Sequence, residues 1–561
     1  MGTRRAWPWI AAIVLAWIAI GEGLAPQLIA WLYRAEPSSF AEPLARALAR
    51  AQTRHSLTYY VDSWREDGRW AVLALLGYQA LALATRARGF AARFVPPATP
   101  GALGATRALV AGVLLASTLW EHLPSSALLP RELIHGEGPL LALLYALPIG
   151  FERFVASPFA LGAFQAATAL LLGCAALGFR TRWSVPLAAF AYLVLGGILR
   201  QYAWFYHTGL IPLYLLAVLA FTPCGDGFSL DRWLRARRGE PVPDARAASL
   251  AYGWPRYLSW TVLALTYVFA GLSKLRRGGL DWAHADNLKS ILLVDTLNPM
   301  QFDWGMTLRL LHEPDALFWA IGLATLAGEI GYGLVLFSRR ARIVLPLTTL
   351  GVHLGIWLLQ NVLFFDLIIL QALVFDWDTA RSWVARRAPG LSGVRRETRA
   401  RERGSPSTDG SGNGRARWPR RLRVLAAALI ACWAIRIEEF PFTAMQMYSK
   451  PNLSGVVEWY AVVATFESGE PRRAPIEAAL PAFRDARYRR VIRQGFEAQA
   501  EKQALARAFL ASFLRTHNAS AAAGGRIRCV EAQRWRWDYA REPDDPQHGE
   551  IVGRIRVEGA S

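Results

Sequence analysis

Five ionisable side chains lie in or at the ends of apolar runs: His207, Lys274, Glu329, His353 and Asp366. A charge in hydrocarbon is costly. It persists where it pairs, lines a polar cavity or does chemistry, so each of the five is a functional candidate. Lys274 lies in YVFAGLSKLRRGGLDW (267–282), an apolar run that ends on the lysine and is followed closely by two arginines, two glycines and a tryptophan. Two readings fit that spacing. A partly desolvated lysine holds its proton weakly and can act as a base. A helix-end lysine can also lay its stem along the helix and send the ammonium to the headgroups. His207, in QYAWFYHTGLIPLYLL (201–216), is either an interfacial ring in an aromatic belt or a proton carrier. Glu329 lies among Gly328, Gly331 and Gly333, small residues that allow close helix approach, and His353 is near mid-run. Both fit polar glue between helices as well as a ligand contact. Asp366, at the start of a run, fits a helix cap. No HxxxH or HxxE spacing joins the histidines, and lysine is a poor ligand at neutral pH, so no metal is expected.

The elements that carry these residues are apolar and long. Of 561 residues 53% are hydrophobic and only 19% charged, below the roughly 25% of soluble domains. Runs of about 20 apolar residues suffice to cross a bilayer. Spans are expected near 7–25, 69–86, 105–124, 158–179, 184–204, 208–223, 255–274, 316–337, 343–360, 362–376 and 422–438, with tight turns at 204–208 and 360–362 and an interfacial segment at 138–153. The net charge of +20 falls mainly in short clusters between runs, as at Arg180/Arg182 and Arg339/Arg340. The positive-inside rule explains this better than nucleic-acid binding, and no nucleic-acid partner is expected. Eleven alternating spans put the N-terminus in the cytoplasm, the C-terminal segment outside, and Lys274 and His207 together near the exoplasmic face. The N-terminal run shows no convincing cleavage site and reads as a retained span.

The expected organisation is an N-terminal pair of transmembrane helices (1–104), a transmembrane domain (105–376), a basic disordered cytoplasmic linker rich in Gly and Ser (377–421), a last transmembrane helix (422–440) and a small α+β exoplasmic domain (441–561). In that tail, GVVEWYAVVATFESG, RIRCVEAQRWRWDYA and GEIVGRIRVEG read as strands, and 479–516 has helical spacing. The segment FTPCGDGFSLDRW (221–233) reads as a structural corner, with Ser229 as a helix N-cap. The fold class is thus an all-α polytopic membrane protein with a small C-terminal α+β domain.

Five segments in order resemble the HTTM domain shared with vitamin K-dependent gamma-carboxylases: STLWEHLPSSALLPRELI (117–134), FYHTGLIPLYLLAVLAFTPCGDGFSLDRW (205–233), TYVFAGLSKLRRGGLDW (266–282), LAGEIGYGLVLF (326–337) and GVHLGIWLLQNVLFFDLIILQALVF (351–375). The resemblance implies a lysine, here Lys274, that deprotonates reduced vitamin K or menaquinol. Oxygen then gives the epoxide through a strong base, which removes a glutamate γ-proton, and CO2 adds to the carbanion. It implies His207 as the assisting histidine and matches His353 to a recurrent polar position without a fixed role; His353 and Glu329 are the candidate cofactor contacts. This chain differs in carrying Ser273-Lys274 where animal carboxylases have two adjacent lysines, in its longer RRGG segment and in its small C-terminal domain. The partners expected are the lipid bilayer and an exported peptide or protein substrate, in a bacterial inner membrane. A second reading is a non-enzymatic scaffold or maturation and export factor for a secreted peptide. A transporter is weaker, since no inverted repeat and no paired broken helices are visible.

Overall fold

The computed structural model describes residues 11–559 except 13, 41–44, 46–47, 50–51, 53–55, 87–88, 135–137, 203–206, 208, 246, 300–301, 376–411, 523 and 546. The chain is mostly helical with a small C-terminal sheet. Among the described residues seven helices are long and apolar enough to cross a membrane: Val14–Arg34, Pro100–Trp120, Pro158–Leu177, Thr181–Arg200, Leu250–Ala283, Asp315–Leu336 and Ala341–Gln360. Several turn apolar side chains outward. Phe159, Leu170 and Leu177 are exposed on one helix, and Val344, Leu347 and Leu358 on another, as lipid-facing surfaces require. The chain divides into two compact units, Val95–Asp409 with Glu438–Ser561, and Met1–Phe94 with Gly410–Ile437.

The larger unit begins with α1 (Pro100–Trp120), α2 (Pro158–Leu177) and α3 (Thr181–Arg200). Each of the first two starts on a proline behind a capping hydroxyl. Thr99 accepts from the Ala102 amide and Ser157 from the Ala160 amide, both at 3.2 Å. Next come α4 (Leu210–Leu219), α5 (Leu230–Arg237) and α6 (Leu250–Gly278). Then follow α7 (Ala285–Leu297), α8 (Asp315–Gly331), α9 (Ala341–Gln360) and α10 (Phe365–Val374). Helix α6 has 29 residues, most of them buried beyond Gly253. At about 1.5 Å per residue it is about 44 Å long, more than a bilayer core.

Helices α4 and α10 have only 10 residues each. That is about 15 Å, half the hydrocarbon thickness. The runs expected at 208–223 and 362–376 therefore fold as half-length helices, and their N-terminal ends meet. The Gly209 amide donates to Asp366 Oδ2 at 3.3 Å, and the Leu367 amide donates to Asp366 Oδ1 at 2.9 Å. Asp366, expected as a helix cap, is instead the second residue of α10, whose N-cap is Phe364, and its carboxylate ties the start of α4 to that of α10. Gly209 has φ +72°, and a Cβ there would lie 2.0 Å from the Tyr192 hydroxyl, so only glycine fits.

The corner before α5 is held from inside. Ser229 accepts from the Arg232 amide at 3.0 Å, as an N-cap should. Asp231 accepts from the amides of Arg180 (2.6 Å) and Thr181 (2.7 Å) and so caps the start of α3. Arg107, fully buried on α1, donates to the carbonyls of Cys224 and Phe228 at 2.6 Å each. Lysine has no planar fork to reach both. Arg107→Lys should lower stability by about 2 kcal/mol by leaving a buried carbonyl unpaired, read as a lower midpoint in thermal unfolding of detergent-solubilised protein.

The tail adds β1 (Val456–Phe466), β2 (Pro471–Arg473), α11 (Arg489–Gly495), α12 (Ala500–Ser520), β3 (Ile527–Asp538) and β4 (Glu550–Glu558). The strands form an antiparallel sheet in the order β2-β1-β3-β4. Val457, Trp537 and Tyr539 pack against Leu293 and Leu311 in one apolar cluster. The Tyr539 hydroxyl donates to the Asp286 carbonyl (2.8 Å), and the Tyr460 amide to Asn298 Oδ1 (3.2 Å). The tail is therefore seated on α7 and the loop after it.

In the smaller unit, helix Leu57–Arg86 packs with Val14–Arg34 and with Gly412–Ala434. The Trp64 indole donates to the Gly21 carbonyl (2.9 Å), Trp70 and Trp433 meet edge to face at 5.8 Å, and Arg436 pairs with Asp67 (2.7 Å). The linker expected at 377–421 lies outside the described residues as far as 411.

Candidate functional site

Lys274 lies one turn from the end of α6, on a stretch where that helix touches α8. It is buried, at 4% exposure. Its Nζ donates to both oxygens of Glu329, at 2.7 and 2.8 Å. The ammonium is therefore not sent to the headgroups. It is turned inward onto a carboxylate, with the Trp282 ring centroid 5.1 Å away. The approach of the two helices is made possible by Gly271, three residues before the lysine. A Cβ at Gly271 would lie 2.8 Å from Ile330 Cγ1 and 3.1 Å from Glu329 Cβ. The glycines expected to allow this approach contribute less: Gly328 and Gly331 have no neighbour within 4 Å of a Cβ position, and only Gly333 meets Val268, at 3.2 Å. The small residue that matters is on the lysine's helix. Gly271→Val should push α6 off α8 and cost about 1–3 kcal/mol of overpacking, measurable as a lowered unfolding midpoint.

His353 is joined to the lysine's helix through Tyr267, which lies seven residues before Lys274 and so on the same face. Tyr332 donates its hydroxyl proton to Gln371 Oε1 (2.5 Å), Gln371 Nε2 donates to the Tyr267 hydroxyl (2.9 Å), and that hydroxyl meets His353 Nε2 at 2.8 Å. The rings of Tyr267 and Tyr332 lie 4.5 Å apart. Four buried polar side chains from α6, α8's continuation, α9 and α10 thus form one hydrogen-bonded chain, with His353 Nδ1 left without a partner among the described residues.

His207 stands in the turn before α4, half-buried. Burial and the positive charges of Arg200 and Lys274 push its imidazole down to about 4, so the ring is neutral at physiological pH. Its Nδ1 lies 3.4 Å from the Thr443 hydroxyl, which donates to Glu438 Oε2 at 2.9 Å. Residues 438–448 form a strap over His207 and the end of α6. Tyr214 donates to the Pro441 carbonyl, Ser273 to the Ala444 carbonyl (3.2 Å) and the Trp282 indole to the Tyr448 carbonyl (2.6 Å). Thr443, Ala444 and Met445 are buried. The strap was not foreseen from sequence, where it reads as the seam between a last span and the tail.

The structure therefore brings Lys274 and Glu329 into direct contact, ties His353 to the same helix face through Tyr267, and sets His207 under the same strap without a direct bond to Lys274. Two surface pockets, one lined by Gln27, Ala30, Trp31 and Arg34 and one by Gln201, Tyr202, Arg490 and Gln494, involve none of these four residues. The arrangement is a lysine paired with a carboxylate across two facing helices, with an imidazole held under the neighbouring strap. Comparison of the chain with protein-family models, with curated proteins and with solved structures returns no match.

Proposed function

We propose that this is an HTTM-type, gamma-carboxylase-like membrane protein that removes a proton from a lipid-borne quinol at Lys274 and Glu329. In this reading about eleven helices cross a bacterial inner membrane, with the N-terminus cytoplasmic and the C-terminal domain exoplasmic. The seven long helices, the two half-length helices α4 and α10, and the helices Leu57–Arg86 and Gly412–Ala434 supply that number. The observation that carries the proposal is the pairing of the buried Lys274 with the partly buried Glu329. An ion pair in an apolar interior is poor value as stability alone, because the desolvation cost rivals the attraction.

Reduced vitamin K or menaquinol, when bound, supplies with oxygen the epoxidation and the strong base needed to carboxylate a peptide glutamate. Aromatic residues surround the pair: the Trp282 ring lies beside the lysine, and Tyr267, on the lysine's helix face, meets the Tyr332 ring at a tilt of 38°. Glu329, with both oxygens on Nζ, takes the lysine's proton to free the amine, or holds the ammonium left after abstraction. His207, being neutral, accepts or returns a proton at its ring nitrogen under the strap. The test is incubation of purified protein with reduced vitamin K and oxygen, followed by chromatographic assay of epoxide. Epoxide that forms equally well without Lys274 would overturn the role.

The second reading, a non-enzymatic scaffold or maturation factor for an exported peptide, draws on the same geometry. A lysine whose ammonium is bonded to both oxygens of one carboxylate is also what a closed structural clamp looks like. Under that reading wild-type protein yields no epoxide, and variants of the pair change only its folding.

A further inference from the structure

Helix α5 (Leu230–Arg237) turns its apolar side away from the protein. Leu230, Trp233, Leu234 and Arg237 recur at i, i+3, i+4 and i+7, one stripe of the helix. A surface helix in water buries such a stripe against its own core. Here the polar side does the holding. Asp231 caps α3 through the amides of Arg180 and Thr181, Arg235 pairs with Asp226 at 3.2 Å, and Arg232 donates to the Asp226 carbonyl at 3.0 Å. No residue of α5 is buried, and Trp233 is 48% exposed.

Neighbouring rings continue this surface. Phe228, at the corner before α5, is 67% exposed, and Trp183, in the first turn of α3, is 64% exposed. The Phe228 backbone sits at φ +47°, which a bulky residue adopts only where its surroundings impose it. Its carbonyl is tied inward to the buried Arg107 while its ring stays outside. The level of the surface follows from the helices it joins. Both α2 and α3 are long and apolar enough to cross a bilayer, so residues 178–180 between them mark one membrane face. The Asp231 amide donates to the Gly178 carbonyl at 3.0 Å, which puts the start of α5 at that face. Outward rings at such a level lie among headgroups and upper acyl chains.

Three cations border the rings. Arg180 and Arg182 are exposed beside the start of α5, and the exposed Arg237 lays its guanidinium over the Trp233 ring, 4.0 Å from the centroid. Among the described residues none of the three meets a carboxylate, whereas Arg235 and Arg238 do, at Asp226 and Glu240. A guanidinium held flat on an indole keeps its N–H edge for an oxyanion, and its planar fork fits phosphate in two-point contact. A zwitterionic headgroup carries its own cation beside the phosphate. An anionic one does not, and charge complementarity selects it.

We propose that α5 and the α2–α3 turn form a binding surface for an anionic phospholipid. Phe228, Leu230 and Trp233 enter the upper part of the chains, and Arg180, Arg182 and Arg237 meet the phosphate. Only the choice of leaflet, the cytoplasmic one, rests on the topology proposed above.

Native mass spectrometry of the full-length protein in a neutral detergent tests this, by titration with phosphatidylglycerol and with phosphatidylcholine of the same chains. Wild type should bind phosphatidylglycerol at least about tenfold more tightly. One arginine near an anionic headgroup is worth about fivefold. Arg237→Gln should therefore lose about fivefold for phosphatidylglycerol, and Arg180→Gln with Arg182→Gln about 25-fold, with phosphatidylcholine unchanged. Trp233→Ala should weaken both lipids, because the ring serves the chains. Arg339→Gln with Arg340→Gln, exposed cations just before α9, should leave both lipids as in wild type. Equal binding of the two lipids by wild type overturns the proposal. So does a loss at Arg339 and Arg340 as large as at Arg180 and Arg182, which makes the effect one of net charge alone. Variants that fold, by their melting curves, yet keep full phosphatidylglycerol affinity overturn it as well. Glycerol 3-phosphate, a headgroup phosphate without chains, should displace no lipid at about a hundredfold excess. Displacement assigns the arginines to a soluble phosphate and overturns the lipid surface. A dimer in the same spectra that dissociates in Trp233→Ala places a second copy on the stripe and overturns it too. None of these readouts involves epoxide, so the lipid surface and the quinol reading stand or fall separately.

Discussion

Lys274→Ala is expected to reduce quinol-dependent epoxide formation by at least about a hundredfold, the usual scale for loss of a positioned proton-transfer group. The physical reason lies in the pair. Lys274 is 4% exposed and bonded to both Glu329 oxygens, so its amine is held at one fixed place against the carboxylate. Removing the lysine alone strands a carboxylate in an apolar interior, and the protein could lose activity simply by failing to fold. The informative companion is therefore Lys274→Met combined with Glu329→Gln, which deletes both charges together and keeps the shapes. That double variant should fold at near wild-type yield and remain inactive. Glu329→Gln alone should also lose most activity, because the lysine's proton then has no carboxylate to go to. Full epoxide formation in the folded double variant would remove the pair from the chemistry.

How much of this was legible in the sequence depends on what kind of information each feature carries. Lys274, Glu329 and His353 stood out because a charge or imidazole in an apolar run is rare whatever the fold. That Lys274 meets Glu329, 55 positions away, was not legible, because nothing local encodes which face of one helix meets which face of another. The glycine that sets the contact is Gly271, a lone glycine in an apolar run, while the visible glycine cluster around Glu329 mostly faces open space. The tail strands were legible from their period of two, and β1, β3 and β4 fall within the segments expected. The three-residue β2 was not, since no period can be read in three residues. Helices α4 and α10 were expected at full length because apolar composition continues past the point where the backbone leaves the helix. Their N-terminal ends are tied together through Gly209 and Asp366, a contact between residues 157 positions apart. Arg107 was passed over because an arginine near a helix start reads as a cytoplasmic flank. Its burial depends on two carbonyls of a corner more than a hundred residues away and a third, of Ala176, on α2.

Arg487→Leu is expected to cost about 3–5 kcal/mol of folding stability, the largest stability effect of any single change considered for this chain. Arg487, just before α11, donates to both Glu121 oxygens at 2.5 and 2.7 Å, and the two side chains are only 6% and 9% exposed. This fork joins the tail to the end of α1. It lies near the neighbouring contact of Arg484 with the Trp120 carbonyl and ring. The leucine leaves Glu121 buried and unpaired, and that desolvated charge, rather than the lost attraction, sets the size of the loss. The distinction is measurable. Arg487→Leu combined with Glu121→Leu should recover most of the loss, because an apolar pair of similar volume fills the same space without an orphaned ion. Unfolding in a denaturing detergent, followed by near-ultraviolet circular dichroism, reads both variants against wild type. A single variant within about 1 kcal/mol of wild type would mean that the tail is not anchored through this pair. A double variant as unstable as the single one would mean that the fork itself, and not the stranded carboxylate, holds the strap-bearing tail against the membrane helices that carry Lys274.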